Sequence, residues 1–213
     1  MKNPLVIAIA AVAFTLCGIA KSPAQTASFT FNDGSGVGNA GNYTVGETIT
    51  FDVFLNFTPG GNVANLAGLS YWLQQTSGPS PSTFSITNRD LTGSLFTDAQ
   101  TPSMTYPQAM TPANASDLGA ALASPAGLGA GTYFIARISV AIGLTAANGV
   151  YTFGTTFALN KTSVISDNQG HTFAIPEATY TVRLVPETGS TLALLGLSTL
   201  VLTALASRQK MRA

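Results

Sequence analysis

The chain has 213 residues, of which 46% are hydrophobic and only 8% charged, and its formal net charge is zero. So few charges argue against a nucleic-acid partner, because neutralising a phosphate backbone takes a basic patch. A single Cys and a single His leave no disulfide framework and no Cys/His zinc site.

At the N-terminus Lys2 precedes an apolar run over 5–20, and Ser22, Pro23 and Ala24 follow. Small residues in the third and first places before a cut after Ala24 make 1–24 a secretory signal peptide. Leu16 stands where a lipoprotein signal needs a small residue, so Cys17 is expected to leave with the signal. The mature chain then carries no thiol.

Residues 25–184 are long enough for one domain with its own core. They hold four basic residues (Arg89, Arg137, Lys161, Arg183) against eight acidic ones, a net charge near −4. The pattern is β throughout. A first short strand is predicted at 28–31. In 48–57 (TITFDVFLNF), Ile49, Phe51, Val53, Leu55 and Phe57 share one face. Thr48, Thr50, Asp52 and Asn56 share the other, and Phe54 is the one breach of this period of two. In 66–74 a second long strand places Leu69, Tyr71 and Leu73 together. A short one follows at 84–87. Gly131–Ile142 is the longest, with Phe134, Ala136, Ile138, Val140 and Ile142 inward and Arg137 and Ser139 outward. Then come 150–159, 172–175 and Thr179–Leu184. Val45-Gly46-Glu47 and Asn148-Gly149 supply turns. Eight or so such strands predict an all-β, single antiparallel β-sandwich. Segment 102–131, rich in Pro, Ala, Gly and Ser, reads as a long surface excursion, with 117–123 able to form a turn or two of helix.

The run Val45 to Leu55, followed by Ala67-Gly68-Leu69-Ser70-Tyr71-Trp72-Leu73, resembles the opening strands of cohesin-like and other Ig-like sandwiches of bacterial surface proteins. The resemblance covers about 30 residues and implies the fold, not a dockerin partner.

Chemistry in this domain is sparse. His171 is the only His, and no Gly-x-Ser-x-Gly elbow accompanies it, so a turn histidine is expected. Asp33-Gly34-Ser35-Gly36 and Asp167-Asn168-Gln169-Gly170 offer oxygens of the kind Ca²⁺ takes, but neither matches an EF-hand loop. No catalytic residue, cofactor or metal is expected. Trp72, with Tyr71 and Tyr106, is the candidate for stacking on a sugar ring; core packing is the other account of Trp72.

The last 29 residues are the most informative. A polar motif, Val185-Pro186-Glu187-Thr188-Gly189-Ser190-Thr191, leads into an uncharged stretch over 190–206. A helix of that length reaches roughly 25 Å, enough for a slightly thinned bilayer. Arg208, Lys210 and Arg212 follow, a cytoplasmic stop that leaves everything upstream outside. The sandwich is thus expected between an N-terminal signal helix and a C-terminal transmembrane helix.

This tail resembles the PEP-CTERM class of sorting signals, including its VPDSG-type relatives, although a second Pro usually stands near Thr188 and Gly189. The resemblance implies an exosortase as processing partner and a bacterium that makes exopolysaccharide. The same motif also resembles the LPXTG signal of cell-wall sortases, which would cut between Thr188 and Gly189. Sortase substrates usually carry a long Pro/Ser/Thr linker, whereas here a strand runs directly into the motif. The resemblance therefore implies an exported, non-enzymatic protein, tethered through 190–206 before processing, then placed in the envelope or exopolysaccharide matrix. A carbohydrate-binding surface module is the alternative.

Overall fold

The computed structural model describes residues 24–34, 39–61, 63–80, 83–97, 105–111, 117–124, 126–155 and 162–186. The apolar run 5–20 expected to be a signal, the stretch 190–206 expected to span a membrane and the basic end lie outside the described residues. Among the described residues there is no helix, and hence none long and apolar enough to cross a membrane.

Among the described residues, fourteen strands form three sheets. In chain order they are β1 (Thr26–Asn32), β2 (Asn39–Tyr43), β3 (Thr48–Thr58), β4 (Gly68–Ser70), β5 (Gln74–Ser77), β6 (Phe84–Asp90) and β7 (Phe96–Thr97). Then follow β8 (Gln108–Ala109), β9 (Ala120–Leu122), β10 (Gly131–Ile142), β11 (Gly149–Gly154), β12 (Val164–Ser166), β13 (Thr172–Ala174) and β14 (Thr179–Leu184). One sheet runs β1-β3-β10-β6-β8, a second β2-β14-β11-β5, and a third β13-β12-β4-β9-β7. Among the described residues all strand pairings are antiparallel except that of β14 with β2.

The core lies between the first sheet and the other two. Ile49, Phe51, Val53, Leu55 and Phe57 of β3 are all buried, as the period of two predicts. Rings bridge the layers: Phe51 meets Tyr180 at 4.4 Å between centroids, Phe84 meets Tyr151 at 4.8 Å, and Phe29 meets Tyr71 at 5.1 Å.

Two β-bulges change the pattern in the first sheet. On β10, Phe134 pairs with Phe54 but Ala136 pairs with Val53, so Ile135 is the extra residue. Ile135 is fully buried, and Phe134, expected inward, instead lies on the outer face opposite Phe54. On β6, Asn88 pairs with Ser139 and Ile86 with Val140, leaving Thr87 as the extra residue. Beyond it the phase is reversed: Arg89 is buried and Asp90 is outward. Bulges re-aim side chains in this way because the extra residue breaks the alternation.

Three further expectations are corrected. Strand 66–74 is broken: β4 and β5 flank an irregular stretch, although Leu69, Tyr71 and Leu73 are all buried. The stretch at 117–123 is extended rather than helical. There the Asp117 carboxylate accepts the backbone N–H groups of Tyr71 and Gly119, and Leu118 N–H bonds to the carbonyl of Tyr71. Nor is 102–131 a surface excursion throughout, since β8 and β9 join two sheets and Met110, Leu118 and Ala120 are buried. Strand β11 ends at Gly154, and 156–161 lies outside the described residues.

Candidate functional site

The outer face of the first sheet carries the densest chemistry. Register aligns its side chains in rows. Asn32 of β1 stands opposite Asp52 of β3, Asp52 opposite Arg137 of β10, and Arg137 opposite Asp90 of β6. In the next row Thr30 stands opposite Phe54, and Phe54 opposite Phe134. The two rings meet edge-on, 5.7 Å apart at 61°. Beside them, Thr50 and Ser139 approach to 3.4 Å. A polar row thus runs alongside a short aromatic one, across four strands.

Arg137 donates from Nε to Asp52 Oδ1 at 2.7 Å and from Nη2 to Asp52 Oδ2 at 3.1 Å. This forked geometry raises the guanidinium pKa further, first through the hydrogen bond and then through the charge of Asp52. Asp90 accepts the backbone N–H of Thr92 at 2.8 Å. Hydrogen bonds from Thr92, aided by the charge of Arg137, hold the Asp90 carboxyl below the usual range.

Two hollows flank the Arg137–Asp52 pair and share both residues. One, of about 410 Å³, is lined by Asp52, Phe54, Asp90, Thr92, Phe134 and Arg137. The other, of about 360 Å³, extends past Thr50 to Asn32 and Asp33. Together they make a shallow trough across the sheet. Its far end is tied down: Asp33 Oδ2 accepts from Tyr180 OH at 3.1 Å and from Gly41 N–H at 3.2 Å. Burial, then the neighbouring Tyr43 and Asp33, push the Tyr180 phenol upward.

The residues singled out from sequence fall elsewhere. Ala24 is exposed. Val185 is half-buried and donates its N–H to the carbonyl of Tyr43 at 2.8 Å, and Pro186 is exposed. Glu187, Thr188, Gly189, Ser190, Thr191, Arg208, Lys210 and Arg212 lie outside the described residues. Trp72 is half-buried between the buried Tyr71 and Leu73. Tyr106 is exposed, and Tyr71 is fully buried with its phenol pushed up, chiefly by that burial.

His171 sits in an exposed turn, its Nδ1 2.8 Å from Asp167 Oδ2. Asp167 also accepts the N–H groups of Gln169 and His171, so its oxygens serve their own loop. Among the described residues no group of three or more His, Cys, Asp or Glu could hold a metal ion. The alternation of β3 and β10 sets Asp52 and Arg137 outward from sequence alone. It does not reveal Phe134 and Asp90, whose directions depend on the two bulges.

No family model matches the chain, and no curated protein matches it. Solved structures do. A chain from the complex of CaCohA2 with a variant of CaDoc0917 aligns with a TM-score of 0.50; CaCohA2 is from Clostridium acetobutylicum. It is 9% identical over 75% of this chain and 100% of its own length. A chain of the Coh-OlpA-Doc918 complex, a type I cohesin–dockerin complex from Clostridium thermocellum, also aligns at 0.50. There the identity is 10%, over 75% of this chain and 99% of that one. At such identities the likeness concerns architecture alone: this chain has the β-sandwich fold of cohesin modules.

Proposed function

We propose that this is an exported, non-enzymatic protein of the cell surface or exopolysaccharide matrix, carrying a PEP-CTERM-like tail over 185–213 that an exosortase processes. The observation that carries this reading is where the sandwich ends. Strand β14 closes at Leu184, Val185 makes one more backbone bond, and Pro186 is already exposed. With Pro186 exposed just past the last strand, a membrane-embedded enzyme can approach the start of the motif without unfolding the domain. The signal run before Ala24 and the apolar stretch 190–206 fit delivery across a membrane followed by temporary anchorage. The cohesin-type fold, in solved neighbours described as partners in cohesin–dockerin complexes, is compatible with a binding role rather than catalysis. So is the only His, held by Asp167 in an exposed turn.

The test is to replace Pro186-Glu187 by Ala-Ala in the natural host. The expected outcome is accumulation of unprocessed, membrane-held protein. An unchanged mature mass and location would refute the sorting reading, and dependence on a wall sortase would replace the exosortase.

A second reading, a carbohydrate-binding surface module, is favoured by the trough on the first sheet. The aromatic pair that supports it is Phe54 with Phe134.

A further inference from the structure

We propose that the trough over Asp52, Arg137 and Asp90 binds a neutral oligosaccharide, with the apolar face of a sugar ring against Phe54 and Phe134. The proposal rests on the surface-module reading and deepens it by naming the site and the class of ligand.

The argument begins with the order of groups in the polar row. Asp52 and Asp90 are acceptors only, and Arg137 between them is a donor only. A ligand that lies along this row must offer donors at its ends and an acceptor at its middle. The charged groups of a polyanion only accept, and they meet the like charge of two carboxylates. The charged groups of a polycation only donate, and between the two carboxylates they meet the like charge of Arg137. Sugar hydroxyls both donate and accept, so each can turn to suit its neighbour. Thr50, Thr92 and Asn32 extend the same dual-character lining.

The aromatic row supplies the rest. The rings of Phe54 and Phe134 are inclined at 61° instead of lying in one plane, so they form a corner rather than a flat platform. A corner beside polar groups suits a single chain whose ring has one apolar face and hydroxyls at its rim. The hollow at this corner, about 410 Å³, lies within the roughly 300–1,000 Å³ of ordinary small-ligand sites.

The corner is also pre-formed. The β10 bulge turns Phe134 outward, and the Ser94 hydroxyl bonds to the Phe134 carbonyl at 3.0 Å. The β6 bulge turns Asp90 outward, and Thr92 N–H fixes its carboxylate. Two separate breaks in alternation converge on one hollow, and pre-formed geometry lowers the ordering cost of binding.

The experiment is calorimetric titration of the full-length protein in detergent with cellohexaose, maltohexaose and mannohexaose. Hexagalacturonate and hexalysine serve as anionic and cationic probes. Binding of a neutral hexasaccharide at millimolar concentration or below is expected, weakened about tenfold or more by Phe134→Ala and by Asp90→Asn. Leu144→Ala, at an exposed position outside the trough, should leave it unchanged. Thermal transitions check that each variant is folded; if Phe134→Ala is not, Asp90→Asn decides. Failure of all three neutral probes, stronger binding of either charged probe, or full binding in the folded trough variants would overturn the proposal. Neutral-sugar binding that survives in both folded trough variants would overturn this site and leave the surface-module reading standing, whereas failure of all three neutral probes would overturn both.

Discussion

The Ser94 hydroxyl donates to the carbonyl of Phe134 at 3.0 Å while accepting the N–H of Phe96 at 3.1 Å. It therefore clamps the loop after β6 to the bulge in β10. A bulge interrupts the ladder around it, so a side chain that satisfies the carbonyl just before the extra residue Ile135 stabilises the irregularity. Ser94→Ala is expected to lower unfolding stability by about 1–2 kcal/mol, the scale of losing a partner from part-buried backbone groups. Urea denaturation checks it, and an unchanged midpoint would mean that the bulge holds without the clamp.

The same bulge marks the boundary of what the sequence shows. Strand β3 is readable because one face is buried and the other wet, which prints a clean alternation from Ile49 to Phe57. Asp52 and Arg137 can be set outward by that logic, and Phe54 stands out as the breach. What cannot be read is that these three meet. Register between strands far apart in sequence fixes that, and no local pattern encodes it. Phe134 and Asp90 are obscured for a sharper reason. Consecutive apolar residues Phe134-Ile135, and consecutive polar residues Thr87-Asn88, leave the phase undefined where the bulges sit. At 117–123 the hydrogen bonds of Asp117 and Leu118 go to 70–71, so a local helical reading misses the partner that wins.

Arg89 illustrates the energetic side of the β6 bulge. Its guanidinium is buried, and Nη1 donates to the carbonyls of Leu118 at 2.7 Å and Gly119 at 2.6 Å. It ties β6 to the segment entering β9. Arg89→Ala would leave two buried carbonyls short of a charged donor, and a loss of about 3 kcal/mol or more is expected. Arg89→Lys should recover only part of this, because an ammonium lacks the planar fork. Equal stability of the Ala variant and the parent in urea would refute the account.

The ring cluster between the layers carries the largest single-residue effect. Phe51 packs against Tyr180 at 4.4 Å and edge-on against Phe31 at 5.7 Å, and is only 1% exposed. Phe51→Ala removes both ring contacts and opens a void that the sheets cannot close without breaking β3 pairing. A cost of about 3–5 kcal/mol is expected, against at most about 1.5 kcal/mol for Phe51→Leu if the core repacks. Thermal and urea unfolding of the two variants compare these outcomes directly.

The Asp167 loop predicts an acid-sensitive step. The Asp167 side chain is only 2% exposed, and this burial opposes ionisation. Yet it accepts the His171 ring at 2.8 Å, His171 N–H at 2.8 Å and Gln169 N–H at 2.9 Å, and together these hold its pKa below the ordinary value. In the unfolded chain these bonds are absent and the group titrates near about 3.9. A pKa depressed on folding means that the unfolded state binds the proton more readily. The associated stability is thus fully present above about pH 4 and is lost as pH falls through the lower folded-state value. The parent should therefore lose stability faster than Asp167→Asn as the pH falls below about 4, since the amide has no proton to take up there. At neutral pH the parent should be the more stable, because Asn keeps the shape but not the charge that His171 and the two N–H groups point at. Urea midpoints of both proteins from neutral pH downward measure the difference, and parallel curves would assign the acid sensitivity to other carboxylates.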